Sequence, residues 1–306
     1  MTFLETKNLS KTYSNGVKAV DALNMELDRG EVYGLIGPNG AGKSTTIRML
    51  MGILTPDSGK ILFEGSEGVD LSRVGYLPEG VNFYSFMRVK EYLRWACDFY
   101  QVGEPQMRVE EALRTVGLEG LEERKLDEVS KGQKQRVGIA QALVHQPDLI
   151  VLDEPTSGLD PIGKKKILEI ISSLARRGKT ILTSSHILPE LSQVCTAVGI
   201  IRGGNLLLQG GMDELREKFS TSNVELRFES VEEGLIDKIS SSEFIKSVEE
   251  TDGEGLSFRL TVRDEAEAKR KLPRLLSSSD SILTYYDFAH ITLEDIFMET
   301  LEGEKR

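Results

Sequence analysis

The chain has 306 residues and a formal net charge of −11, from 49 Asp and Glu against 38 Lys and Arg. That length suffices for two ordinary domains, the 39% of hydrophobic residues is too high for a disordered chain, and the acidic balance excludes a nucleic-acid partner, whose phosphates it would repel. Two cysteines, Cys97 and Cys195, make no disulfide framework; with no apolar run near the roughly 18 residues of a membrane span and no export signal over residues 1–10, a cytoplasmic protein is predicted, reaching a membrane only through a partner.

In chain order, the apolar run Val32–Ile36 follows the turn residues Arg29 and Gly30 and predicts a strand. Further strand runs are 61–63, Val74–Leu77, Leu149–Leu152, 180–183 and 198–201. The continuously apolar ones, such as 149–152, predict strands covered by helices on both faces of a parallel sheet. Gly203 and Gly204 predict a hairpin turn into 206–208. Between the strands, Val89, Tyr92, Leu93, Ala96 and Tyr100 share a helical stripe, as do Val109, Ala112, Leu113 and Val116, and again Ile167, Ile170, Ile171 and Leu174. Residues 84–147 contain helical periods and no strand, a helical insertion in an α/β domain of residues 1–212.

Beyond residue 212 the pattern changes. Residues 213–306 carry 23 acidic and 13 basic side chains, so nearly all of the net charge lies there. Val224, Leu226 and Phe228 alternate, as do Phe258, Leu260 and Val262. With helical stretches over 231–241 and 264–278 and a last strand over 282–288, the order β-α-β-β-α-β predicts a small α+β ferredoxin-like domain.

Gly37-Pro38-Asn39-Gly40-Ala41-Gly42-Lys43-Ser44 follows the first strand and opens a helix starting near Thr45. This is a P-loop, whose glycines let backbone N–H groups curl around phosphate oxygens. The helix N-terminus adds positive potential, Lys43 would neutralise phosphate charge and Ser44 would ligate Mg²⁺. The strand Leu149–Leu152 runs into Asp153 and Glu154. Alternation along a strand assigns these acids opposite faces and separate tasks. Asp153 is expected in the Mg²⁺ shell, and Glu154 is expected to orient and deprotonate the attacking water.

Between the two sites lies Val129-Ser130-Lys131-Gly132-Gln133, followed by Lys134-Gln135-Arg136-Val137-Gly138-Ile139-Ala140-Gln141-Ala142-Leu143. This segment resembles the signature of ATP-binding cassette (ABC) proteins, usually written LSGGQ. Pro155-Thr156-Ser157-Gly158-Leu159-Asp160 resembles the family's D-loop, His186 stands where the family has its switch histidine, and Tyr13 is similar to the aromatic that stacks on adenine. The resemblance implies a RecA-like P-loop NTPase core and an ATPase whose cassettes pair head to tail around two ATP molecules. Ser130, Gly132 and Gln133 would then face the nucleotide held by the partner cassette, Asp160 would link the two sites, and His186 would sense the γ-phosphate.

Two departures stand out. Lys131 replaces the first signature glycine, with Ser130 and Gly132 kept. Glu79, in Val74-Gly75-Tyr76-Leu77-Pro78-Glu79, stands where the family usually has glutamine and is expected as a metal-linked lever sensing the permease. The aromatics Phe83, Tyr84 and Phe86 that follow read equally as core or as the groove that receives a permease helix. The closing Thr292-Leu293-Glu294-Asp295-Ile296-Phe297, with Thr292 as a helix cap, resembles the drug, lipid, polysaccharide and gliding-type exporters. Those pair two cassettes, identical or not, with separate membrane permeases, which implies a peripheral position at the inner face of the membrane. The alternatives are a soluble ABC mechanoprotein, which needs coiled coils or two cassettes in one chain, and a regulatory protein that binds ATP without turnover. Neither long heptads nor a second cassette are present, and Lys43, Asp153, Glu154 and His186 are intact.

Overall fold

The computed structural model describes residues 2–80, 83–219, 223–289 and 292–303. The chain separates into two compact units, Met1–Met212 and Asp213–Arg306.

The first unit opens with β1 (Thr2–Thr12) and β2 (Lys18–Asp28), an antiparallel pair. Then come β3 (Val32–Ile36), α1 (Lys43–Leu50), β4 (Ser58–Phe63), β5 (Ser66–Glu67) and β6 (Val74–Leu77). The helices α2 (Val89–Phe99), α3 (Pro105–Thr115) and α4 (Lys131–Leu143) follow without an intervening strand. The unit closes with β7 (Leu149–Leu152), α5 (Pro161–Arg176), β8 (Thr180–Ser185), the single turn α6 (Leu188–Leu191), β9 (Ala197–Arg202) and β10 (Asn205–Gly211).

Two sheets result, in the orders β2-β1-β4-β5 and β10-β9-β3-β8-β7-β6. In the second sheet β9, β3, β8, β7 and β6 are parallel, and β10 folds back antiparallel on β9. Every residue of β3, β7 and β8 is buried, as a parallel sheet covered on both faces requires, and β8 carries the polar residues Thr183, Ser184 and Ser185 into that interior. The carboxyl ends of β3, β7 and β8 lie side by side, with Ile36 opposite Ser185 and Leu152 opposite Thr183. Ligands of open α/β sheets bind at such strand ends. Of the first sheet, the sequence predicts β4 through the run 61–63 and not β1 or β2. Their alternation is broken by register shifts in the β1–β2 pairing and by left-handed backbone at Asn8 (φ 48°) and Ala22 (φ 45°).

The helix α7 (Met212–Phe219) starts at the boundary. The second unit runs β11 (Asn223–Ser230), α8 (Leu235–Ser240), β12 (Ile245–Glu250), β13 (Ser257–Val262), α9 (Glu265–Ser277), β14 (Ile282–Ala289) and α10 (Leu293–Gly303). Its antiparallel sheet has the order β12-β13-β11-β14, the ferredoxin-like arrangement that the β-α-β-β-α-β pattern predicts. Val224, Leu226 and Phe228 of β11 pack with Phe258, Leu260 and Val262 of β13 and with Ala268 and Leu272 of α9. Asp264 caps α9 by accepting the Glu267 N–H. Thr292 caps α10 reciprocally: its Oγ accepts the Asp295 N–H, and its own N–H donates to Asp295. Among the described residues, no helix is long and apolar enough to cross a membrane.

Candidate active site

The phosphate loop begins where β3 ends. Gly42 precedes the first turn of α1 with φ 112°, and a Cβ there would lie 2.4 Å from the Ala19 carbonyl oxygen. Only glycine fits that position, and this conformation turns the chain into α1 with its first-turn amides facing the loop. Lys43 opens the helix, yet its ammonium is buried. Lys43 Nζ donates to the carbonyls of Gly37 (2.7 Å) and Pro38 (3.2 Å) and pairs with Glu154 Oε1 at 3.2 Å. A buried charge needs such partners. Ser44 Oγ lies 3.2 Å from Asp153 Oδ1. Thr45 Oγ1 meets the Tyr13 hydroxyl at 3.2 Å, which fixes the half-buried Tyr13 beside the helix start. Asn39 and Gly40 lie at the exposed tip of the loop, and Ala41 is buried beneath them.

The acids are divided where the strand ends. β7 runs to Leu152, and the Asp153 N–H still donates to the Leu77 carbonyl of β6 at 2.9 Å, so strand pairing carries through Asp153 and stops before Glu154. Glu154 takes left-handed backbone, φ 48°, and this bend separates the two carboxylates. That region is costly for a non-glycine residue, so the surroundings must hold it. Ser184, fully buried at the end of β8, supplies one grip. Its hydroxyl donates to Asp153 Oδ1 at 2.6 Å and accepts the Glu154 N–H at 2.9 Å. His186 supplies another, with Nδ1 3.0 Å from Glu154 Oε2. Glu154 therefore lies between Lys43 on one oxygen and His186 on the other. Sequence reading found both ends of this cluster and missed Ser184, two residues before the histidine.

Ser130, Gly132, Gln133 and Asp160 form a second group. They line one open groove at the N-terminal ends of α4 and α5. Ser130 caps α4: its Oγ accepts the Gln133 N–H at 3.2 Å, and its own N–H donates to Gln133 Oε1 at 2.8 Å. Asp160 caps α5 by accepting the Gly163 N–H at 2.7 Å. Lys131 leans across Gly158, whose φ is 65°, so closely that a Cβ on that glycine would be 2.2 Å from its Nζ. Among the described residues, no hydrogen bond or ion pair joins this group to the Lys43–Glu154 cluster.

Glu79 is exposed just beyond β6. Its charge and that of Asp153 both act on Tyr76. Burial, then the Asp153 charge and, less strongly, Glu79 push the Tyr76 phenol up to about 12 against the opposing Arg48. The aromatics after Glu79 divide between the two readings. Phe83 packs edge-on against Tyr92 of α2, whereas Tyr84 and Phe86 are exposed. Tyr84 meets Trp95 edge-on at 6.0 Å, and Trp95 lies 6.4 Å from Phe99. Trp95 and Phe99 are themselves exposed. Sequence reading missed Trp95 and Phe99; their i, i+4 spacing on the face of α2 away from Val89 and Leu93 is the signal that could have found them.

The sequence profile described as "ABC transporter" matches residues 20–157, and that of the "ATP-binding protein DrrA1-3-like, C-terminal domain" matches 210–301. The bacitracin transport ATP-binding protein BcrA of Bacillus licheniformis is 41% identical over 224 residues, 71% of this chain and 72% of that protein. The chain belongs to the ABC transporter ATP-binding family. A Synechocystis ABC transporter ATP-binding protein of uncharacterised role is 40% identical over 225 residues, and the matched part spans 64% of its length. Among solved structures, an ATP-binding subunit of an ABC transporter superposes with a TM-score of 0.63 at 33% identity, covering 71% of this chain and 93% of that one. A dimeric ATP-binding cassette in a post-hydrolysis state with ADP and phosphate gives 0.63 at 25% identity, covering 68% and 98%. The present chain is thus an ABC-type ATPase and the ATP-binding subunit of an ABC transporter.

Proposed function

We propose that this cassette energises export through a separate membrane permease, and that Lys43, Asp153, Glu154 and His186 perform the hydrolysis. One observation carries the assignment of roles: a buried Glu154 carboxylate held between Lys43 and His186 at 3.2 and 3.0 Å. The loop amides and Lys43 bind the phosphates of ATP. Glu154 accepts a proton from a water as its oxygen bonds to the γ-phosphorus, and the bond to the bridging oxygen breaks to give ADP and phosphate. His186 holds the Glu154 carboxylate in line and contacts the γ-phosphate.

Mg²⁺ fits the donor set. Among the described residues, no cluster of three His, Cys, Asp or Glu side chains could hold a metal alone. Ser44 and Asp153 offer two hard oxygen donors on adjacent elements, as suits an ion bound by one or two protein ligands together with substrate phosphates and waters. Glu79, exposed just beyond β6, is assigned as the metal-linked lever that senses the permease. When bound, the ion neutralises phosphate charge.

Tyr13, beside Thr45, stacks on the adenine. Ser130, Gly132, Gln133 and Asp160 serve the nucleotide of a second cassette, which accounts for their lying in a groove apart from the Lys43 cluster. The exposed aromatics Tyr84, Phe86, Trp95 and Phe99 receive an apolar helix of the permease, which brings the cassette to the inner face of the membrane. Export is supported by the likeness to BcrA and to a lantibiotic transport ATP-binding protein of Streptococcus pyogenes, 38% identical over 222 residues. The test is Glu154→Gln. This variant is expected to bind MgATP and to pair as a dimer in gel filtration, while phosphate release falls by about 10²–10⁴-fold. Turnover at the wild-type rate would refute the role of Glu154.

A further inference from the structure

We infer that Glu190, which no sequence motif singled out, is a positioning residue for hydrolysis. Its carboxylate holds the loop that aims Glu154. The inference rests on the reading of Glu154 as general base.

Glu190 lies in α6, four residues beyond His186, and is 8% exposed. Thr156, two residues beyond Glu154, is 3% exposed. The Thr156 hydroxyl donates to Glu190 Oε2 at 2.5 Å, and Lys164 Nζ of α5 pairs with Glu190 Oε1 at 2.9 Å. Both oxygens of the buried carboxylate are thereby engaged, as burial demands.

The loop from Glu154 to Asp160 is tightly wound. Ser157 N–H donates to the Glu154 carbonyl, and Leu159 N–H to the Thr156 carbonyl. Thr156 therefore lies inside the turn that Glu154 opens. Displacing Thr156 rotates the peptide chain at Glu154, whose left-handed backbone depends on its surroundings. The segment around β8 and α6 grips this loop at three points: Ser184 on the backbone of Glu154, His186 on its carboxylate and Glu190 on Thr156. The first two act on Glu154 itself. Glu190 acts on the far side of the turn, and through Lys164 it anchors the same point to α5, whose cap is Asp160. A shift of His186 thus reaches Glu154 directly and the D-loop through Glu190.

The test uses the full-length chain with MgATP turnover, ADP binding by calorimetry and thermal unfolding. Thr156→Val removes the hydroxyl and keeps the shape. It is expected to lower kcat about tenfold to a hundredfold, the scale of a misaimed catalytic group, with ADP affinity within about twofold of wild type. Thr156→Ser, which restores the hydroxyl, is expected to return kcat to within about threefold of wild type. Glu190→Gln keeps the shape and an acceptor for Thr156, and serves if Thr156→Val does not fold. Its weaker, uncharged acceptor is expected to lower kcat about threefold to tenfold at unchanged ADP affinity. Wild-type kcat in Thr156→Val or Glu190→Gln overturns the inference, as does a loss that Thr156→Ser does not restore or that falls in step with ADP affinity. Turnover retained by Glu154→Gln would instead overturn the base assignment, so the two failures are distinct.

Discussion

Replacing Ser184 by alanine isolates what holds the two acids apart. The Ser184 hydroxyl is fully buried and makes two bonds, donating to Asp153 Oδ1 at 2.6 Å and accepting the Glu154 N–H at 2.9 Å. Its loss removes a hydrogen bond to a charged group, typically about 1.5–3 kcal/mol, and leaves a buried N–H without its acceptor, roughly 1–3 kcal/mol. The two losses share one atom and do not add fully, so about 3 kcal/mol is the working value. For a cooperative unit of this size the melting temperature should fall by roughly 6–12 °C. The neighbouring residue is an internal control. Among the described residues, Thr183 Oγ1 is buried and has no hydrogen-bond partner. Thr183→Val trades that stranded hydroxyl for a methyl, and its melting temperature should match or exceed that of wild type. Calorimetric melts of the two full-length variants make the comparison. Ser184→Ala melting within about 2 °C of wild type, or Thr183→Val losing as much as Ser184→Ala, would refute the reasoning.

Two further outcomes follow from other parts of the chain. Leu272 is fully buried in the C-terminal sheet–helix core, so Leu272→Ala should destabilise that unit by about 3 kcal/mol; an unaltered calorimetric profile would contradict this. His145 stacks on Tyr100 at 3.8 Å, and its Nε2 bonds to the Val74 carbonyl. Burial holds its imidazole below the ordinary histidine range, opposed by that carbonyl bond and helped by the Lys179 charge. The unfolded chain therefore takes up the proton first, so the stabilising contribution is complete above about pH 6.5 and is lost as the pH falls through the lower folded value. The stability gap between wild type and His145→Gln should narrow from about pH 7.5 to pH 5 in parallel melts, and a constant gap would exclude His145 as its source.

The phosphate loop was legible because its geometry restricts the residues themselves: the position before Lys43 tolerates only glycine. The covered strands were legible because β3 and β7 are apolar throughout. The strands β1 and β2 were not, because bulges near Asn8 and Ala22 break the alternation that marks a strand. Asp153 keeps its strand pairing to β6, whereas the left-handed turn at Glu154 leaves no mark in the sequence. Ser184 and Glu190 were hidden by distance along the chain: their partners lie 31 and 34 residues earlier. Serine and glutamate in those places are ordinary until the fold brings the partners together.

The way Ser130 caps α4 has a consequence for anything that approaches the groove. A new helix has more N–H groups at its start than it can use itself. The Ser130 hydroxyl takes the one from Gln133, and the Gln133 side chain takes that of Ser130. The first-turn amides of Lys131 and Gly132 have no intrahelical acceptor. The cap thus decides which donors are spent on the helix and which stay on offer. A change from serine to alanine would unsettle the helix and blur the offer together, whereas threonine keeps both.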